Sequence, residues 1–200
     1  MAPRPFVLGV DLDGVVADFY GGLRPIVAEW LGVPTESLPA EVSFGLEEWG
    51  FKDPEDYQRL HRFAVTRRQL FLKVEPIPRA AAVLRRLSDR NVRIRIITNR
   101  LFIKYAHLET TSQTAEWLEK HGVPYWDLCF MSEKAAVGAD LYLDDSPSNI
   151  DALRKQGLKA IVFTNSTNRK LPDPRANSWD EVEVLVLREM RRAGAGGKRR

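Results

Sequence analysis

Apolar positions along the chain follow two alternating periods. Phe6 to Val10 is a continuous apolar run that stops at Asp11-Leu12-Asp13-Gly14. A run without polar alternation predicts a strand covered on both faces. From Val15 to Leu31 the spacing turns helical, with Phe19, Leu23, Ile26, Val27 and Trp30 as the apolar set and Gly32 and Pro34 as the stop. Residues 33–54 carry Pro34, Pro39, Gly45, Gly50 and Pro54 and read as loop, with Phe44, Trp49 and Phe51 set into it. Helical character returns from Pro54 to Leu72 and breaks at Glu75-Pro76-Ile77-Pro78.

Downstream, a helix is predicted from Arg79 to Arg90 and a strand from Val92 to Ile97, ending at Thr98-Asn99. Residues 104–121 read as a helix closed by Gly122. Tyr125–Met131 and Ala139–Leu143 read as strands, the second ending at Asp144-Asp145. Ser148 or Asn149 could cap a helix running to Gln156, with Gly157 behind it, and Lys159–Phe163 is a further strand. Residues 164–177 read as loop, and Trp179–Arg192 fits either a strand or a final helix, with helix favoured.

Strands alternating with helices from residue 78 to 163 predict an α/β fold with a parallel sheet covered on both faces. The stretch between the first strand and Val92 is too long for a single crossover. An inserted helical cap is therefore expected at residues 17–75, hinged near Ala17–Asp18 and Val74–Pro78. The core would comprise residues 1–16 and 76–200, with a flexible basic tail at 194–200.

Composition changes this picture little. The chain has 200 residues and a net charge of +3, and Lys198, Arg199 and Arg200 alone carry that many positive charges. Basicity therefore does not point to a nucleic-acid polymer. The single cysteine, Cys129, excludes an intramolecular disulfide, and between Leu128 and Phe130 it reads as a buried structural thiol. His61, His107 and His121 lack metal-ligand spacing, and a substrate contact by His61 stays open. With no signal-peptide pattern and no apolar run long enough to cross a membrane, a cytoplasmic protein is expected.

Four polar clusters fall at or near the C-terminal ends of the predicted strands: Asp11/Asp13, Thr98/Asn99, Ser132/Lys134 and Asp144/Asp145. Parallel sheets place ligand sites along that edge. Three of these carboxylates, Asp11, Asp13 and Asp144, with one lysine suit a phosphate and a hard divalent cation such as Mg²⁺. Asp11 and Asp144 would offer carboxylate oxygens and Asp13 its backbone carbonyl, leaving the Asp13 side chain free for proton transfer. Cation and lysine together would neutralise the phosphoryl oxygens, so that a carboxylate can attack phosphorus.

Asp11-Leu12-Asp13-Gly14-Val15 after an apolar strand resembles the first motif of the haloacid dehalogenase superfamily. Ile96-Ile97-Thr98-Asn99 resembles the second, Lys134 has the place of the third, and Leu141-Tyr142-Leu143-Asp144-Asp145 resembles the fourth. The resemblance implies a three-layer core with a small helical C1-type cap. It makes Asp11 the nucleophile that forms an aspartyl-phosphate and Asp13 the acid–base. Thr98, with the backbone of Leu12 and Asn99, would hold phosphoryl oxygens, and Lys134 would stabilise Asp11 and the phosphate. Asp144 would complete the Mg²⁺ sphere and Asp145 would orient metal-bound water. An acid at position 13 implies phosphatase rather than dehalogenase chemistry.

A narrower resemblance is to the 5′(3′)-deoxyribonucleotidases (5′-nucleotidase, type C). Asp11 to Phe19 is similar to their opening, and Phe71-Leu72-Lys73-Val74-Glu75-Pro76-Ile77-Pro78 to their cap exit. That likeness implies a nucleoside monophosphate whose base stacks on cap aromatics, with Phe19, Phe44 and Trp49 the matching candidates. Arg100-Leu101 departs from the Ser-Pro of that family. Arg100 is expected either to add positive charge near the phosphate or to bind a second anionic group. The expected partner is thus a small phosphate ester, and a homodimer stays open. Alternatives are a phosphatase for another small ester, a phosphotransferase, and a catalytically weak phosphate-binding or regulatory protein.

Overall fold

The structure is a computed structural model that describes residues 4–102 and 106–196. Phe6–Val10 forms strand β1, buried along its whole length. It lies between β2 (Val92–Thr98) and β4 (Leu141–Asp144), with Leu8 opposite both Ile94 and Leu141. Adding β3 (Asp127–Phe130), β5 (Ala160–Phe163) and β6 (Arg175–Ala176) gives a parallel six-stranded sheet in the order β3-β2-β1-β4-β5-β6.

Side chains alternate across the pleat and build a separate core on each face. Ile94, Ile96, Leu141, Leu143, Ile161 and Phe163 pack on one face with residues of α4 (Ala80–Asp89), α5 (His107–Lys120) and α7 (Trp179–Gly196). Ile97, Tyr142, Ala160 and Val162 pack on the other with Ile150 and Leu153 of α6 (Pro147–Lys155). These layers are the three expected from the alternating pattern.

Between β1 and α4 lie α1 (Phe19–Leu31), α2 (Pro54–Arg68) and α3 (Leu70–Lys73). They bury a core of their own, built around Leu23, Val27, Leu60, Val65, Leu70 and Phe71. Their two connections to the sheet run side by side. Asp18 N–H donates to Glu75 O at 2.8 Å and Ile77 N–H to Val16 O at 2.7 Å.

Several elements differ from the sequence expectation. Residues 15–18 are not helix: Leu12 O accepts from Val15, Val16 and Ala17 N–H, closing a tight turn, and Asp18 caps α1 by accepting from Gly21 N–H. The helix expected from Pro54 to Leu72 breaks at Gln69, which sits in the left-handed region at φ 56°. Ser146, not Ser148 or Asn149, caps α6, because Pro147 already occupies its first turn. The short β6 falls within residues read as loop. Cys129 is half-buried on edge strand β3 rather than deep in the core, and its burial still raises the thiol pKa. Residues 104 and 105 of the helix expected at 104–121, and the last four residues of the basic tail, lie outside the described residues. Among the described residues no helix is long and apolar enough to cross a membrane.

Candidate active site

The central strands deliver the polar residues to one edge. Asp11 follows β1, Thr98 ends β2 and Asp144 ends β4. The strand order reverses between β1 and β4, which is where a parallel sheet opens a crevice.

Lys134 begins a single 3₁₀ turn, Lys134–Val137, and is buried at that crevice. Its ammonium lies 2.8 Å from Asp11 Oδ1 and donates to Asp144 Oδ2 at 2.6 Å. Burial alone would discharge it, but Asp11 and Asp144 outweigh that effect and hold its pKa above the ordinary lysine range. Asp144 also accepts from Ser146 N–H at 2.9 Å, and Asn149 Nδ2 lies 3.2 Å from each of its oxygens. Asp145 is held from the β5–β6 loop. Asn165 Nδ2 donates to its Oδ2 at 2.7 Å, and Asn168 Nδ2 to its carbonyl at 2.9 Å.

One carboxylate oxygen each from Asp11, Asp144 and Asp145 lies within 4.8 Å of the others, and all three residues are buried. A single lysine does not balance them. Burial first, then the charges of Asp144 and Asp13, push Asp11 up to about 7 against the pull of Lys134. Burial, then Asp11 and Asp144, hold Asp145 well above the usual carboxylate range. An all-oxygen donor set carrying uncompensated negative charge fits a hard divalent cation. Asp145 therefore stands among the candidate ligand oxygens, whereas its expected place was behind them.

The Asp13 carboxylate lies outside this cluster and pairs with Arg100. Arg100 Nε and Nη2 donate to its two oxygens at 3.0 and 2.6 Å. Arg100 is fully buried yet borders the cleft, and its fork is already spent on a carboxylate, which corrects the expectation of a second anionic contact; the alternative, positive charge near the phosphate, is not contradicted by this placement.

A cleft of about 370 Å³ opens above these groups. Asp11, Asp13, Thr98, Asn99, Arg100, Lys134 and Asp145, from the segments that follow the strands, line it. Thr98 is buried and Asn99 exposed. Leu12 has its side chain in the core, so only its backbone remains for a phosphate. Phe19, Tyr20, Phe44, Tyr57, His61 and Phe71 of the helical insertion line it as well, together with Phe102. Phe19 and Phe44 thus meet the cleft, and Trp49 does not. Trp49 is packed into the helical core, where its indole N–H donates to Pro39 O at 2.9 Å, which removes it from the substrate candidates.

Sequence reasoning missed Tyr57 and Phe102. Their rings are parallel within 1° with centroids 6.5 Å apart. Phe102 follows directly on the Thr98–Arg100 segment, which was the available signal; Tyr57 was hidden among the polar residues of α2. Asn149 and Asn165, which hold Asp144 and Asp145, were legible only as helix-start and loop residues. His61 packs against Phe19, Tyr57, Phe71 and Phe102, and its buried Nδ1 has no hydrogen-bond partner among the described residues. Burial, reinforced by Arg100 and opposed by Asp13, lowers its pKa to about 4.

The sequence model of the 5′ nucleotidase, deoxy (pyrimidine), cytosolic type C protein family matches residues 4–192. A Chlorobaculum tepidum protein provisionally described as a 5′(3′)-deoxyribonucleotidase is 56% identical over 93% of this chain and 92% of its own. The mitochondrial 5′(3′)-deoxyribonucleotidase of Mus musculus is 30% identical over 89% of this chain and 83% of its own. Among solved structures, a predicted phosphatase from Clostridium acetobutylicum covers 93% of this chain and 100% of its own, with a TM-score of 0.61 at 14% identity. That likeness shows the shared fold.

Proposed function

The chain belongs to the 5′ nucleotidase, deoxy (pyrimidine), cytosolic type C family within the haloacid dehalogenase superfamily, and from that premise we propose that it is a Mg²⁺-dependent 5′(3′)-nucleotidase acting on nucleoside monophosphates. At the coarser level it is a phosphoester hydrolase whose buried aspartates suit aspartyl-phosphate chemistry. The observation that carries the substrate assignment is a single cleft lined by both carboxylates and aromatic rings. The parallel faces of Tyr57 and Phe102, with Phe19 and Phe44 beside them, offer stacking surface to a flat heteroaromatic base.

In this reading Asp11 attacks phosphorus, forming an Asp11–phosphorus bond as the bond to the leaving oxygen breaks. The Asp13 carboxyl gives its proton to that oxygen. A water then attacks phosphorus while Asp13 takes up its proton, and the bond to Asp11 breaks, restoring the carboxylate and releasing phosphate. Lys134 holds Asp11 in place and offsets charge on the phosphoryl oxygens, which also meet the Thr98 hydroxyl and the backbone at Leu12 and Asn99. Asp11, Asp144 and Asp145 would hold the cation with side-chain oxygens. When bound, Mg²⁺ supplies positive charge to the phosphoryl group.

The test is the initial rate of phosphate release with Mg²⁺ across ribo- and deoxyribonucleoside 5′- and 3′-monophosphates, sugar phosphates and small acid phosphates. Higher kcat/KM on nucleotides than on every other ester is the expected result. A flat profile would retire the nucleotide assignment and leave the phosphoester hydrolase.

A further inference from the structure

We infer that Arg100 is a positioning residue for Asp13, its guanidinium fork fixing the carboxyl group that exchanges protons with the leaving oxygen and the attacking water. The inference rests on the reading of Asp13 as the acid–base given above.

Arg100 follows Thr98-Asn99 at the end of β2 and is 1% exposed. A guanidinium so deeply buried is stable only where its donors and its face are engaged, and here they are. Nε and Nη2 make two bonds to the Asp13 oxygens at 3.0 and 2.6 Å. Nη1 donates to Thr114 Oγ1 on α5 at 3.1 Å, and that hydroxyl donates in turn to Thr110 O at 2.7 Å. The guanidinium carbon lies 4.0 Å from the centre of the Phe71 ring on α3. Arg100 is thus held by α5 and α3 independently of Asp13.

Two bonds from a planar fork set the plane of a carboxylate as well as its place, which a single contact from an ammonium does not. A carboxylate has about four lone-pair directions, and the fork takes two. The Asp13 side chain remains 25% exposed where it lines the cleft. It is therefore aimed and still free to exchange a proton there. The phosphate side of the site already has Lys134, so Arg100 acts on the proton path rather than on the anion.

Leaving groups separate this role from a merely structural one. kcat/KM covers the steps through departure of the leaving group. p-Nitrophenolate departs without a proton, whereas an alkoxide needs one. Arg100→Met, Arg100→Lys and Asp13→Asn are compared with the wild-type enzyme on p-nitrophenyl phosphate and on a nucleoside monophosphate at one Mg²⁺ concentration. For Arg100→Met we expect kcat/KM on the alkyl ester to fall on the order of 10²-fold, mostly through kcat, and far less on p-nitrophenyl phosphate. Arg100→Lys keeps the buried charge without the fork. It carries the test if Arg100→Met does not fold, with the same split at smaller size. Equal losses on both esters, or wild-type rates in Arg100→Lys, would overturn the inference. If Asp13→Asn shows the split and the Arg100 variants do not, only the role of Arg100 fails. If Asp13→Asn shows no split, the acid–base reading beneath it has failed.

Discussion

A β-carbon placed on Gly14 would lie 2.7 Å from Asp145 Cγ and nearer still to its Oδ2. Gly14 also sits at φ +76°, in the left-handed region. The glycine after Asp13 is thus needed twice, for the turn that ends β1 and for the approach of that turn to Asp145. Gly14→Ala is expected to cost about 1–2 kcal/mol of stability from backbone strain and to displace Asp145 from the carboxylate cluster. Calorimetric Mg²⁺ titration should show weakened binding, with turnover reduced in parallel. Wild-type Mg²⁺ affinity in this variant would remove Asp145 from the cation's ligands.

Lys134 touches both Asp11 and Asp144, so the two ends of that arrangement respond to mutation in opposite ways. Asp11→Asn removes the nucleophile and one of the crowded negative charges. Turnover should fall to background while the metal-free protein melts higher than wild type. Lys134→Met leaves the carboxylates without their counter-charge. Removing one partner of a buried pair costs about 3–5 kcal/mol, and Mg²⁺ should restore part of the lost melting temperature. Thermal melts in EDTA and in Mg²⁺ read both effects. Measurable phosphate release by purified Asp11→Asn would sink the nucleophile assignment.

The sheet edge was legible because Asp11, Thr98 and Asp144 stand at the ends of buried apolar runs, and parallel strands carry such ends to one place. Those three could therefore be assembled from strand order, whereas Lys134, beyond the half-buried β3, was placed by its motif. The cap side was not legible in this way. Trp49 and Phe44 lie five residues apart in one loop, yet one is packed inside and the other faces the cleft. No periodicity in an irregular segment decides which aromatic turns inward. Arg100 was read only in part for a related reason: its charge is visible in the sequence, but its partner lies 87 residues away on another loop. The break at Gln69 escaped notice because a left-handed non-glycine residue leaves no compositional mark.

Phe102 is 41% exposed and its ring is parallel to that of Tyr57, so its truncation removes stacking surface without opening a core cavity. Phe102→Ala is expected to raise KM for nucleoside monophosphates by roughly 10-fold, equivalent to one base-stacking contact of about 1–3 kcal/mol, and to leave KM for a sugar phosphate nearly unchanged. Phe19→Ala should be less selective, because Phe19 is also part of the helical core. Steady-state kinetics on the two substrate classes decides this. Equal KM changes on both would count against stacking at Phe102.

His61 gives the fold a pH dependence whose sign follows from its burial. Its ordinary value of 6.5 drops to about 4, because burial disfavours the imidazolium, Arg100 opposes it as well, and the nearby Asp13 only partly compensates. The surrounding Phe19, Tyr57, Phe71 and Phe102 rings offer no countercharge to its Nδ1, which has no partner among the described residues. The unfolded chain therefore takes up this proton at higher pH than the folded one. The contribution is fully present above pH 6.5 and is lost as pH falls through about 4. Across that window the loss is on the order of 3 kcal/mol. His61→Leu, which fills similar space without a titrating group, should show a shallower fall in stability between pH 6.5 and 4. Comparing the two proteins subtracts the carboxylates that titrate in both. Urea unfolding at several pH values gives the difference directly, and parallel stability curves would mean that His61 is protonated as easily inside the fold as outside it.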